Sequence, residues 1–249
     1  MTRTDTTALA LVAALLLTMP VFALVSRGRP MDADVARRGK SVLLGHWVRD
    51  WLMWVIGPME RALVRGRVSP DWFNYLGAAF GVAAGVAFAR GSLSLGGWMV
   101  LLGGAADIFD GRIARARGIA APYGAFLDST LDRFAETFAF AGVALFFQPV
   151  RWALLATVLA MGGSLLVSYA RARGEALGVH GAGGVMQRAE RLVTLALAGL
   201  LDAAVTARQG WAPGTLLGIA VALIAAGALG TAVYRTAYIT RELKRRPEA

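Results

Sequence analysis

The sequence has no cysteine, two histidines (His46 and His180) and only two lysines among its 26 basic residues. The first absence removes disulfides, thiolate nucleophiles and cysteine–metal sites together, and the second argues against a histidine-based zinc site. Charge is scarce as well: 17% of the 249 residues are charged and 57% are hydrophobic, against about 25% and 45–50% in soluble chains. That balance excludes a disordered or collagen-like chain and does not suit an ordinary soluble enzyme. The apolar residues fall in blocks close to the roughly 20 residues a helix needs to cross a bilayer, and mean hydropathy is +0.55. The sequence reads as an all-α integral membrane protein. Its formal net charge of +10 then reflects topology or anionic lipid rather than nucleic acid.

The first block, Ala8–Val25, is flanked by Arg3, Arg27 and Arg29. A cleavable signal peptide is the rival reading, but no clean A-x-A site follows, so a retained signal-anchor helix is expected. Six further spans are expected at Trp72–Ala89, Leu93–Ala116, Tyr123–Phe147, Trp152–Ala170, Leu192–Thr206 and Trp211–Tyr238. With these spans, 22 of the 26 Lys and Arg fall on one side, in residues 27–67, 112–133, 171–191 and 235–246. The positive-inside rule makes that side cytoplasmic. Between anchor and bundle, Met31–Arg67 alternates charge with aromatic and aliphatic residues. Trp47, Trp51 and Trp54 share one helical face, which suggests an amphipathic helix with its Trp rings at headgroup level; a soluble packing helix is the alternative. Gly77, Gly81 and Gly85 form a smooth stripe for close helix packing. The expected organisation is an anchor at 1–30, an amphipathic segment at 31–68, a six-helix membrane domain at 69–240 and a basic tail at 241–249.

Asp107, Asp110, Asp128 and Asp132 stand inside or at the edge of these spans, where a carboxylate is costly and by default functional. The first two are i, i+3 on one helix and the second two i, i+4 on the next, so each pair projects from one face. A turn around Gly118–Pro122 brings the four together. Such a cluster stays ionised only if a cation neutralises it, and an all-oxygen set suits Mg²⁺, Mn²⁺ or Ca²⁺. Gly111, Ala114 and Gly124 leave the adjacent surface nearly bare, and Arg115 adds a forked donor suited to phosphate. The alternative is a set of ion pairs holding helices together, with Arg112, Arg115, Arg117 and Arg133 as partners.

Residues 107–132 read DIFDGRIARARGIAAPYGAFLDSTLD. They match D-x2-D-G-x2-A-R-x8-G-x3-D-x3-D at every fixed position, and the chain thereby resembles the CDP-alcohol phosphatidyltransferases. The resemblance runs from about Lys40 to Tyr238. It implies a six-helix membrane enzyme, commonly a homodimer, that transfers a phosphatidyl group from a CDP-linked lipid to an alcohol with release of CMP. It further implies Mg²⁺ or Mn²⁺ on Asp107, Asp110 and Asp128, with Asp132 as a further ligand or as the base on the acceptor hydroxyl. Asn74, Asp107, Gly111, Ala114, Arg115 and Gly124 are implied to hold the cytidine diphosphate.

Two further stretches, SYARARGE at 168–175 and GVMQRAERL at 184–192, resemble the bacterial phosphatidylinositol phosphate synthases. An acceptor with its own phosphate needs cations that the shared motif does not supply. The resemblance assigns that role to Arg171, Arg173, Arg188 and Arg191, with Glu175 and Glu190 orienting them. It implies CDP-diacylglycerol as donor, inositol 1-phosphate as acceptor, and a site on the cytoplasmic side of a bacterial inner membrane. Gln187, Ala189, Ala182 and Asn74 depart from that group's pattern, and the Ala8–Val25 span is extra. Glycerol 3-phosphate is the nearest rival acceptor. A transporter or lipid-binding protein reusing a carboxylate–metal site is the rival of another class.

Overall fold

The computed structural model describes residues 3–32, 35–36, 45–181 and 183–246. Ala182, much of the segment between the anchor and His46, and the last residues of the tail lie outside the described residues. The helices, in chain order, are α1 (Arg3–Val25), α2 (His46–Arg65), α3 (Pro70–Ala89), α4 (Leu93–Ala116), α5 (Pro122–Phe146), α6 (Arg151–Ala176), α7 (Arg188–Gln209) and α8 (Thr215–Lys244). Pro70 and Pro122 open α3 and α5 at positions whose N–H has no helical acceptor. Gly118, at φ 65°, makes the turn from α4 to α5 in a backbone conformation that a side chain disfavours.

Helices α3–α8 form a ring. Going round it, α3 packs on α5, α5 on α6, α6 on α8, α8 on α7, α7 on α4, and α4 back on α3. The stripe Gly81–Gly85 is why α3 and α5 come so close. A Cβ at Gly81 or Gly85 would overlap the backbone of Ala135 or Phe138, and one at Gly142 would overlap Gly85. Gly77 meets α4 instead, opposite Gly103. With α3 holding both, α4 and α5 barely touch each other, which leaves a gap between the two helices that carry the aspartates.

The apolar core fills the end of the ring away from that gap, around Phe88, Phe140, Val143, Leu195, Leu217 and Ile224. Asp202 of α7 is buried there because it caps α8: its Oδ2 accepts from Gly214 N–H at 2.7 Å and its Oδ1 from Leu217 N–H at 3.1 Å. The exposed first-turn N–H groups of a helix attract such a carboxylate.

Five helices, α1, α3, α4, α6 and α8, are long and apolar enough to cross a membrane. The other two expected spans, α5 and α7, are 25 and 22 residues long but less apolar. Their charges point inward, with Glu136, Glu190, Arg191 and Asp202 all buried, so hydropathy alone understates them.

The Trp face of α2 is not laid open to lipid headgroups along its length. Trp51 is 5% exposed and its Nε1 donates to Thr18 Oγ1 of α1 at 2.8 Å. Phe22 of α1 sits against Trp47 and Trp54, with ring centroids 5.5 and 5.7 Å away. The stripe meets α1, which offers aromatic contact and a hydroxyl partner at matching heights. At the other end of α1, Asp5 accepts from Ser94 Oγ of α4 at 2.6 Å.

Candidate active site

The chain ends at 70, 116, 122, 176, 188 and 244 gather at one end of the ring through cross-links. Arg117 donates to the carbonyls of Arg67 and Val68, Tyr123 to Asp71, and Arg246 to the carbonyls of Leu177 and Gly178. At this end α4 supplies Asp107 and Asp110, α5 supplies Asp128 and Asp132, and α7 supplies Arg188.

One carboxylate oxygen from each of Asp107, Asp110 and Asp128 lies within 4.8 Å of the others. Two oxygens trans across an octahedral Mg²⁺ stand about 4.2 Å apart, so these residues fit a hard divalent ion with small adjustment. Asp110 is buried and its Oδ1 accepts from Gly111 N–H at 2.5 Å. Asp132 is not part of this three-oxygen group. It accepts from Arg188 Nη2 at 2.5 Å, while Nη1 of the same guanidinium lies 2.9 Å from Asp107 Oδ2. The sequence places four carboxylates at one point; the structure separates three from the fourth, because Arg188 stands between α4 and α5.

The ion-pair alternative names Arg112, Arg115, Arg117 and Arg133 as partners of these aspartates. Arg112 binds Glu60 and Asp32, Arg117 binds backbone carbonyls, and Arg133 donates to Ser129 O and only approaches Asp132, at 4.0 Å. Arg115 lies over Gly111, its Nη1 3.0 Å from where a Cβ would stand. The triad of Asp107, Asp110 and Asp128 is therefore not neutralised by the four arginines proposed for it.

Around this centre, Ala114 is half-buried and Arg115 exposed, and a Cβ at Gly124 would meet nothing. Asn74 is buried on α3, the helix that carries both aspartate helices. A narrow groove beside the carboxylates is lined by Asp132, Arg188, Gly81, Gly103 and Gly104.

The expected acceptor arginines divide. Arg188 is at the carboxylates. Arg171 and Arg173 are exposed at the end of α6, with Arg171 Nε 2.8 Å from Glu175 Oε1. Arg191 is differently placed: it is 1% exposed, and its Nε and Nη2 donate to the two carboxylate oxygens of Glu136 at 2.7 and 3.0 Å. That pair joins α5 to α7 and leaves little of the guanidinium for a ligand. Glu190 faces Arg49 of α2, at 3.9 Å, rather than an acceptor arginine.

Sequence reasoning missed Arg235. It is 3% exposed on α8, donates from Nε to Gly183 O at 2.9 Å and from Nη1 to Val167 O at 2.8 Å, and pairs with no carboxylate within salt-bridge distance among the described residues. A buried cation compensated only by carbonyls is costly unless an anion joins it. In the sequence it is one more positive-inside residue, and no sequence signal separates it from its neighbours. Segment 183–187 is fastened beside it, with Met186 N–H donating to Thr231 Oγ1 at 3.1 Å.

Residues 67–234 match the family model for CDP-alcohol phosphatidyltransferases. The chain is 37% identical over 231 residues to a phosphatidylinositol phosphate synthase of Streptomyces avermitilis, covering 85% of this chain and 91% of that one. It is 34% identical to an archaetidylinositol phosphate synthase of Methanothermobacter thermautotrophicus, covering 70% and 84%. Among solved structures, it is similar to the Mycobacterium tuberculosis phosphatidylinositol phosphate synthase with CDP-DAG bound, at TM-score 0.65, 31% identity and coverage of 73% and 92%. The complex of that enzyme with manganese and citrate superposes at TM-score 0.67 with 29% identity, over 77% and 92%. Transporter and lipid-binding readings fall away with these matches, and the chain belongs to the CDP-alcohol phosphatidyltransferase family of membrane enzymes.

Proposed function

We propose that the protein transfers the phosphatidyl group of CDP-diacylglycerol to inositol 1-phosphate, releasing CMP at the cytoplasmic face of a bacterial inner membrane. The observation that carries this reading is the juxtaposition at one end of the ring of the Asp107–Asp110–Asp128 triad with arginines that the shared motif does not explain. The relatives named above support it: two are synthases of inositol phosphate lipids that differ in the lipid part of their names, and one structure holds CDP-DAG. The 22 basic residues on the site's side support a cytoplasmic site by the positive-inside rule.

Asp107, Asp110 and Asp128 would hold Mg²⁺ or Mn²⁺, which would supply charge stabilisation at the pyrophosphate. Arg115, lying over Gly111, meets a second part of the same diphosphate, and the small residue Ala114 and the open surface at Gly124 admit the cytidine. Asn74 completes that side. Asp132, set apart from the triad, takes the proton of the acceptor hydroxyl. The hydroxyl oxygen then bonds to the phosphatidyl phosphorus as the bond to CMP breaks, so that a phosphodiester forms and CMP leaves carrying the pair of electrons. A hydroxyl with a pKa far above 7 needs such a positioned base. Arg188, Arg171, Arg173 and the buried Arg235 receive the acceptor's phosphate, and Arg191 acts by holding α7 through Glu136.

The test is CMP release by purified protein with CDP-diacylglycerol and Mn²⁺, offered inositol 1-phosphate, glycerol 3-phosphate, inositol or serine. Turnover is expected with inositol 1-phosphate, falling about 10²–10⁴-fold in Asp132→Asn. Turnover confined to glycerol 3-phosphate would overturn the acceptor assignment.

A further inference from the structure

Helix α2 supports the site without lining it. Its Ile56, flanked by Leu52 and Met53, packs against Phe109 and Ile113 of α4. Arg112, between those two α4 residues, reaches out to the same side. Its Nε donates to Glu60 of α2 at 2.6 Å, and Nη1 and Nη2 donate to the two oxygens of Asp32 at 3.1 and 3.0 Å. The three side chains are only 13–15% exposed.

On a helix turning about 100° per residue, Arg112 projects about 140° away from Asp107 and about 160° away from Asp110. It therefore grips the back of the turns whose front carries two of the triad's carboxylates. At the front α4 barely touches α5, and the link across to it is made by Arg188 of α7, which pairs with Asp107 and Asp132. The back has the Ile56 cluster, but apolar contact sets distance better than rotation, because hydrophobic surfaces of similar size repack at small cost. A forked guanidinium bound by two carboxylates has one orientation. Partly buried ion pairs add little net stability, and their best-attested use is to select one arrangement among several. At its other end α2 reaches α7, where Arg49 Nη2 lies 3.9 Å from Glu190 Oε1, and its outer face is held by Thr18 and Phe22 of α1.

We propose that Arg112, held by Glu60 and Asp32, is a positioning residue of the transferase, and that α2 fixes through it the rotation at which Asp107 and Asp110 face Asp128. This rests on the carboxylate site proposed above. It gives the extra anchor helix a role: α1 backs α2, and α2 sets α4.

The test uses the full chain and Glu60→Gln, which takes the charge out of the link to α2 while Arg112 keeps its Asp32 pair, so that no charge is stranded. Mn²⁺ binding is read from the EPR signal of free Mn²⁺, alongside the unfolding midpoint without metal and the kinetics of CMP release. The expected result is Mn²⁺ affinity weakened about 10-fold, the size seen when a residue behind metal ligands is removed. A lower kcat, an unchanged acceptor KM and an unchanged metal-free midpoint are expected with it. Wild-type protein that binds no Mn²⁺ would overturn the carboxylate site itself. Wild-type binding matched by Glu60→Gln, or a loss that only tracks a fallen midpoint, would overturn the positioning role.

Discussion

On α4 and α5, three carboxylates crowd within 4.8 Å of one another without a basic residue dedicated to each, whereas the arginines on α6, α7 and α8 are tied down one by one. Arg191 has Glu136, Arg171 has Glu175, and Arg235 has two carbonyls. The carboxylate side thus keeps negative charge in excess of the Arg188 that Asp107 and Asp132 share, and the arginine side is held in shape by the protein. The difference matches the roles proposed for each. A site for a divalent ion and a diphosphate gains from charge left over, while a pocket for a small phosphorylated polyol needs donors at fixed places.

The contrast breaks hardest at the carboxylates. Asp110→Asn neutralises the most buried of the three carboxylates proposed as ligands, and Mn²⁺ affinity is expected to fall about 100-fold, with CMP release lost. Equilibrium binding of Mn²⁺ to the purified variant checks it. On the arginine side the largest effect is expected on stability. Glu136→Ala strands the Arg191 cation among buried residues, at a cost of about 3–5 kcal/mol, visible as a lowered denaturation midpoint in detergent. Adding Arg191→Met is expected to recover much of it, because the pair matters less than the unpaired charge. At the small end, Glu175→Gln removes an exposed i,i+4 pair, and less than about 0.5 kcal/mol of stability should go with it.

The carboxylate side was legible in the sequence because one turn and two helices carry it: the spacings 107–110 and 128–132 each define a face, and Gly118–Pro122 folds one onto the other. The helix spans were legible for the same reason of periodicity and length. What periodicity did not show was that Asp132 stands off from the triad, since that depends on Arg188 arriving from α7, some sixty residues away. The arginine side was only half legible. Arg191 and Arg188 are three residues apart on one helix and look alike in sequence, yet one meets Glu136 in the interior and the other meets the aspartates. Arg235 was hidden because burial, not spacing, distinguishes it from its neighbours. The Trp stripe of α2 was read correctly as one face, but what covers that face belongs to a helix thirty residues upstream.

The most direct measurement of this division is the steady-state kinetics of Arg235→Gln with donor and acceptor varied independently. Loss of one charge-assisted hydrogen bond, about 1.5–3 kcal/mol, should raise the KM for inositol 1-phosphate about 10–100-fold and leave the KM for CDP-diacylglycerol and the Mn²⁺ requirement unchanged. A donor KM that rises in step, or an acceptor KM that does not move, would contradict the assignment of carboxylates to the donor and arginines to the acceptor.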